Sequence, residues 1–230
     1  MISDVKKGAF LYRRKPWLGR EWGGPMNGQG GRCRLISELI LKGTPVAIVE
    51  TGTYLGTTTE WLSGFQLPVL SCEVSHRNFG FSQRRLIETK NVKLILGDSR
   101  SARRGMLAGP LLTFQDETIL FYLDAHWGDD LPLAEELDII FSLCAKAIVI
   151  VDDFQVPDDP GYSYDDYGPG KSLTIEYARG AMERHELKIH YPSIRSEDET
   201  GAKRGCAVFA KKPVAEFLLG QVTLLRRLDN

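Results

Sequence analysis

Apolar residues follow two rhythms along this chain. Short runs at 46–49, 69–72, 92–96, 119–123 and 147–151 have the length and β-branched content of strands. Between them, Leu35, Leu39 and Ile40 predict a helix over 32–43, and further helices fall at 57–65 and 75–89. Leu133, Leu137, Ile140, Phe141 and Cys144 repeat at helical spacing within 131–145. A helix over 171–183 and strands at 187–191 and 205–210 complete the pattern. The 147–151 run is apolar enough that both of its faces must be covered. Such alternation predicts an α/β architecture, a parallel sheet wrapped by helices on both sides. Ligands of these sheets bind beyond the carboxyl ends of the strands, so the residues that end each strand are the ones to question.

The first 32 residues have a different texture. Gly19, Gly23, Gly24, Gly28, Gly30 and Gly31 stand among Pro16, Pro25, Trp17 and Trp22, a density that predicts no regular element between 15 and 32. Two tryptophans do not suit a solvated tail. The expected organisation is an N-terminal arm over 1–32, packed on the body, a second subunit or a ligand, and one domain over 33–230. A homodimer formed through the arm is one form this could take.

Composition narrows the field further. The 230 residues carry 29 basic and 30 acidic side chains, a net charge of −1, so no bulk charge favours nucleic acid or an anionic membrane. The apolar runs are far shorter than the roughly 20 residues that cross a bilayer. The N-terminus lacks the apolar segment of a secretory signal. Cys33, Cys72, Cys144 and Cys206 are scattered without a CxxC pair, which predicts reduced thiols in a cytoplasmic protein.

The first strand runs into Glu50, Thr51, Gly52, Thr53, Tyr54, Leu55 and Gly56, then Thr57, Thr58 and Thr59. The two glycines allow a sharp turn and close approach of backbone N–H groups to a ligand, and the threonines suit a helix start. A dinucleotide loop wants G-x-G-x-x-G. Tyr54 replaces the middle glycine here, and an acid precedes the turn. That acid would repel a pyrophosphate and suit a ligand bearing an amine. The second strand ends in Glu73, placed either to accept two ribose hydroxyls or to sit at a helix N-terminus. The third ends in Gly97, Asp98 and Ser99, a helix cap or a contact to an adenine amino group.

This ordered set resembles the class I S-adenosylmethionine-dependent methyltransferases over roughly residues 33–211. The resemblance implies a Rossmann-like three-layer sandwich, with a mostly parallel seven-stranded sheet and an antiparallel last strand. It also implies S-adenosylmethionine as cofactor. Glu50 through Thr58 would lie along its methionine part, Glu73 on the ribose, and Asp98 with Ser99 beside the adenine.

The fourth and fifth strands also end in acids, Asp124 and the pair Asp152 and Asp153. Carboxylates at neighbouring strand ends repel one another unless a cation intervenes, and oxygen ligands of this kind suit Mg²⁺. Without metal, Asp124 would line the cofactor pocket and the pair would cap the next loop. The trio is similar to the metal ligands of cation-dependent O-methyltransferases, the catechol and macrocin types among them. That similarity implies methyl transfer to a hydroxyl of a small polyhydroxylated acceptor, a sugar or natural-product glycoside. Gly128 stands where the catechol enzymes have a basic lysine after the Asp124–Trp127 string. His126 is the first candidate for the base and Asp124 the second. The loop over 155–172, with Tyr162, Tyr164, Tyr167, Asp158, Asp159, Asp165 and Asp166, is placed as an acceptor lid. The charged stretch 192–204 reads as a solvent-exposed connection. Competing readings are a metal-independent methyltransferase, a catalytically silent nucleotide-binding interaction module, and an NAD-dependent oxidoreductase.

Overall fold

The computed structural model describes residues 3–107, 109–114, 116–126 and 130–228. Helices are α1 (Asp4–Arg14), α2 (Gly30–Gly43), α3 (Thr57–Ser63), α4 (His76–Arg85), α5 (Ser99–Leu107), α6 (Leu133–Leu143), α7 (Ile175–His185) and α8 (Lys212–Phe217). Strands are β1 (Ala47–Thr51), β2 (Val69–Glu73), β3 (Val92–Leu96), β4 (Ile119–Leu123), β5 (Ile148–Asp152), β6 (Leu187–Pro192), β7 (Cys206–Lys211) and β8 (Leu225–Arg226). They form one sheet in the order β3-β2-β1-β4-β5-β7-β6-β8. The first five strands pair in parallel, and β7 runs antiparallel between β5 and β6. The two-residue β8 is an eighth strand beyond the seven expected, too short to leave a pattern in the sequence.

Each side of the sheet has its own core. Val49, Phe121 and Val149 meet Ala102 and Met106 of α5, Leu133, Leu137 and Ile140 of α6, and Ala178 of α7. Ile48, Leu120, Ile148 and Ile150 meet Leu35, Ile36 and Leu39 of α2 and Ala215 of α8. The alternation of side chains along a strand therefore decides which helices each residue faces.

The N-terminal arm holds a helix ahead of its glycine-rich stretch, and within 15–32 short 3₁₀ turns stand at Pro16–Arg20 and Pro25–Gly28. Ser3 accepts a hydrogen bond from the Lys6 amide and starts α1, with Asp4 in the first turn and Arg13 and Arg14 in the last, each matched to the helix dipole. This helix lies against α4, where Gly8 and Gly80 remove the side chains that would hold the two apart. A β-carbon on Gly8 would overlap the Arg77 carbonyl, and one on Gly80 the Val5 carbonyl. Tyr12 packs edge-on to Phe81 at 5.1 Å. Further along, α2 begins at Gly30, inside the expected arm. Met26 is buried beside α2, whereas Trp17 and Trp22 are exposed on this chain.

The crossing of α1 and α4 is testable. Gly8→Leu has no room at the contact and should cost about 1–3 kcal/mol. Faster hydrogen exchange confined to α1 and α4 is the expected readout; unchanged exchange would show that the close approach carries no stability.

Candidate functional site

Strand register brings the predicted acids to one place. Glu50 lies beside Ser71 and Tyr122, and Tyr122 beside Ile150. Residues two further on, Glu73, Asp124 and Asp152, point to the same side of the sheet by the period-two rule. This is the side covered by α2. On that helix Arg32 precedes Leu35, Ile36 and Leu39 at helical spacing, so the stripe that buries the leucines also turns a guanidinium toward the strand ends.

Glu50 is fully buried. Its Oε2 accepts hydrogen bonds of 2.5 Å from the Ser71 and Thr59 hydroxyls, while Oε1 has no partner among the described residues. Loss of water outweighs those two bonds and pushes its pKa up to about 7. Thr53 joins the network through the Ser71 hydroxyl at 2.6 Å. The Thr51 hydroxyl is also buried without a partner.

The glycine loop is built differently from the expected N–H cradle. Gly52 and Thr53 donate their amides to the Cys72 carbonyl at 3.0 and 3.1 Å, and Gly56 donates to Thr53 at 2.8 Å. The Tyr54 amide donates to Glu73 Oε2 at 2.7 Å, and the Ser75 amide to Oε1 at 2.8 Å. Gly52 has φ +84°, and a β-carbon there would overlap the Asp124 carbonyl, so only glycine lets the β1 and β4 turns meet. Tyr54 itself is left-handed, φ +48°.

Thr57 and Thr58 face the N-terminal segment. The Thr57 hydroxyl donates to the Gly19 carbonyl and accepts from Arg85 Nη1 at 2.6 Å. Thr58 Oγ1 accepts from the Met26 amide at 3.3 Å. At the third strand end, Asp98 accepts from the Arg100 amide and guanidinium at 2.9–3.2 Å. The capping alternative is thus the one realised in the geometry of Asp98, with buried Ser99 opening α5. Gly97 donates its amide to Glu73 at 2.9 Å.

Asp152 is buried and turned inward. Arg32 Nη1 and the Asp153 amide donate to its Oδ1, and the Tyr122 hydroxyl to its Oδ2. Arg32, also buried, donates through Nη2 to the Arg204 carbonyl at 2.5 Å. Asp153, at φ +54°, accepts from Arg204 Nε at 2.5 Å, and Arg204 Nη2 also pairs with Asp165. Burial and the neighbouring Asp152 push Asp153 up to about 6, against the pull of Arg204. Asp124 is half-buried, and among the described residues no arginine pairs with it. Desolvation, then Asp152, Asp153, Glu50 and Asp165, hold its carboxyl well above the ordinary range.

The expected metal triad is therefore not gathered. Among the described residues no three His, Cys, Asp or Glu side chains are placed to hold an ion. Asp152 Oδ1 accepts two hydrogen bonds and Oδ2 one, and the fixed charge of Arg32 beside it would repel a dication. Mg²⁺ does not fit this donor set.

His126 is buried, with Nε2 3.7 Å from Glu136 Oε2 on α6. Trp127 and Gly128 lie outside the described residues. Most polar groups assigned to the lid are engaged within the protein. Tyr162 donates to the Ile194 carbonyl, Asp158 pairs with Arg195 and Arg226, and Asp159 binds Ser196. Asp166 accepts from Ser172. The 192–204 stretch, expected to be a bare connection, holds buried Glu199, which accepts from the amides of Gly31 and Arg32 at 2.8 and 3.1 Å and so fixes the start of α2. Gln29 completes the contact through two hydrogen bonds to the Arg204 backbone, at 2.9 and 3.0 Å. Arg32, Arg204, Gln29 and Glu199 were not singled out in the sequence.

No family model matches the chain, and no curated protein matches it. Solved structures do. An O-methyltransferase from Bacillus cereus, in complex with S-adenosylhomocysteine, aligns with TM-score 0.56 at 13% identity, over 92% of each chain. A Klebsiella pneumoniae protein proposed to be an O-methyltransferase aligns with TM-score 0.55 at 15% identity, over 92% of this chain and 90% of that one. The fold is that of the class I methyltransferases. A TehB-like S-adenosylmethionine-dependent methyltransferase from Corynebacterium glutamicum aligns with TM-score 0.51 at 15% identity, over 90% of this chain and all of that one. Within the methyltransferase fold, Glu50, Glu73 and Asp124 occupy the carboxyl edge of the sheet, where ligands of such sheets bind.

Glu50 gives this edge a pH signature. Its folded pKa of about 7 exceeds its ordinary 4.5, so the folded state holds the proton more tightly than the unfolded chain. Stability should then fall as pH rises from about 4.5 to about 7, by roughly 3 kcal/mol from this residue. Denaturant titrations at pH 5 and pH 8 should show that loss in the native protein and a smaller one in Glu50→Gln. Equal losses in both would remove Glu50 as the source.

Proposed function

We propose that this chain is an S-adenosylmethionine-dependent O-methyltransferase acting on a hydroxyl of a small polyhydroxylated acceptor, a sugar or natural-product glycoside. One observation carries the cofactor assignment. A fully buried carboxylate with one orphan oxygen, Glu50, stands at the end of β1 beside a loop whose amides are turned inward. That arrangement disfavours a pyrophosphate and suits the ammonium end of an amino-acid-bearing cofactor. It separates this reading from that of an NAD-dependent oxidoreductase. The S-adenosylhomocysteine bound by the Bacillus cereus protein supports the same assignment. Glu73 is the candidate for the ribose, because each of its oxygens, while accepting one backbone amide, keeps a lone pair for a hydroxyl. Asp98 and Ser99 border the adenine end.

When bound, this cofactor supplies an electrophilic methyl group on a sulfonium sulfur. The part left to this chain's own residues would be to hold the acceptor hydroxyl in line with that methyl group, to exclude water and to take up the hydroxyl proton. The acceptor's proton must leave. Asp124 is the base we assign to it, since it stands partly exposed at the strand edge with no arginine paired to it among the described residues, and burial with its acidic neighbours makes it a stronger base than an ordinary carboxylate. Buried His126, against Glu136, is assigned to holding the β4 turn. The lid is anchored at the same edge, where the Asp165 amide donates to the Asp153 carbonyl at 2.9 Å, and it carries half-buried Tyr164 as a surface for the acceptor.

Calorimetry with S-adenosylhomocysteine tests the cofactor. Micromolar binding is expected, and Glu73→Ala should weaken it by one or two lost charge-assisted hydrogen bonds, about 1.5–3 kcal/mol each. Absence of binding would sink the assignment in favour of a silent interaction module. With an acceptor found by screening sugars and glycosides, Asp124→Asn should lower kcat by about 10²–10⁴ while S-adenosylhomocysteine affinity changes far less. An unchanged kcat would take the base role from Asp124.

A further inference from the structure

The strand edge gathers Glu50, Asp124, Asp152, Asp153 and Asp165, charges that act on one another across the site. Something positive must offset them, and two arginines from distant parts of the sequence do so. Arg32, on α2, pairs with Asp152 and holds the Arg204 carbonyl. Arg204, just before β7, bridges Asp153 and Asp165, tying the end of β5 to the lid. Each guanidinium is fixed from outside the site. Glu199 holds the α2 amides at Gly31 and Arg32, and Gln29 grips the Arg204 backbone from both sides.

We propose that Arg32 and Arg204 take the place of a divalent cation in this site, so that the carboxylates are organised by fixed organic charge and methyl transfer is independent of metal. This rests on the methyltransferase reading for the transfer itself, but the charge arrangement can be tested without it. Arg32 is a positioning residue: it acts through Asp152, which keeps Tyr122 and the β5 end in register with Asp124. A planar, permanently charged group also gives a directional clamp that a hydrated ion would not.

Electron paramagnetic resonance with Mn²⁺ as the probe decides the charge claim. Native protein should leave the free Mn²⁺ signal undiminished at millimolar ion. Arg32→Met, which frees Asp152 beside Asp124 and Asp153, should take up Mn²⁺, and Arg32→Met with Asp152→Asn should not. The double variant removes both charges of the pair and guards against simple misfolding, and thermal melting establishes that each variant is folded. In turnover, EDTA should leave the native rate unchanged. Arg32→Lys, which keeps the charge but not the fork that also reaches the Arg204 carbonyl, should retain more activity than Arg32→Met. Tight Mn²⁺ binding by native protein, or loss of turnover in EDTA, would overturn the proposal. If S-adenosylhomocysteine fails to bind, the methyltransferase reading falls while the Mn²⁺ result still decides this one.

Discussion

The organising constraint of this molecule is electrostatic: a parallel sheet delivers its strand-end carboxylates to one edge and, by the alternation of side chains, to one side of that edge. Like charges so placed raise one another's pKa and oppose folding unless compensated. The surroundings of the edge can be understood as answers to that problem. Arg32 enters from α2, Arg204 from the turn before β7, and Tyr122 donates its hydroxyl from β4. Glu50 has no cation beside it among the described residues, and its pKa is pushed up to about 7 instead. Asp124, with no arginine paired to it among the described residues, is held well above the ordinary carboxylate range.

Much of this was legible in the sequence because it depends on short-range pattern. The runs 92–96 and 119–123 coincide with β3 and β4, and the acids at 50, 73, 124 and 152 do stand at consecutive strand ends in the sheet. The compensating groups were not legible. Arg32 sits in a stretch where Arg34 is equally basic, and only the stripe of Leu35, Ile36 and Leu39 against the sheet tells which one is turned inward. Arg204 and Glu199 lie in a charged segment that has the composition of a solvated loop, yet Glu199 is buried against amides 167 and 168 residues away and half-buried Arg204 pairs with Asp153, 51 residues away. Three aspartates alone therefore suggested a metal, whereas three aspartates with their arginines do not.

The N-terminal segment shows the same limit from another side. The glycines of 15–32 suggested irregular chain, yet Gly31 stands inside α2 and leaves space for the Glu199 carboxylate, while Gly8, ahead of that stretch, serves a helix crossing. Glycine marks close approach as well as turns, and sequence alone does not separate the two. The left-handed residues Met26 and Asn27, with Tyr54 and Asp153 across the edge, place backbone strain where loops converge on the site.

That convergence has a consequence for how the protein comes to exist. The clasp between residues 27–32 and 199–204 closes over sequence separations of 167 to 175 residues. During synthesis the first half of the clasp leaves the ribosome early and has no partner until β7 is about to emerge. The sheet from β3 to β5 has all its strands by then, but its acidic edge does not have its second arginine. A nascent chain thus passes through a long interval as a nearly complete sheet with an uncompensated edge. The acidic edge of the sheet is among the last parts of the molecule to be finished.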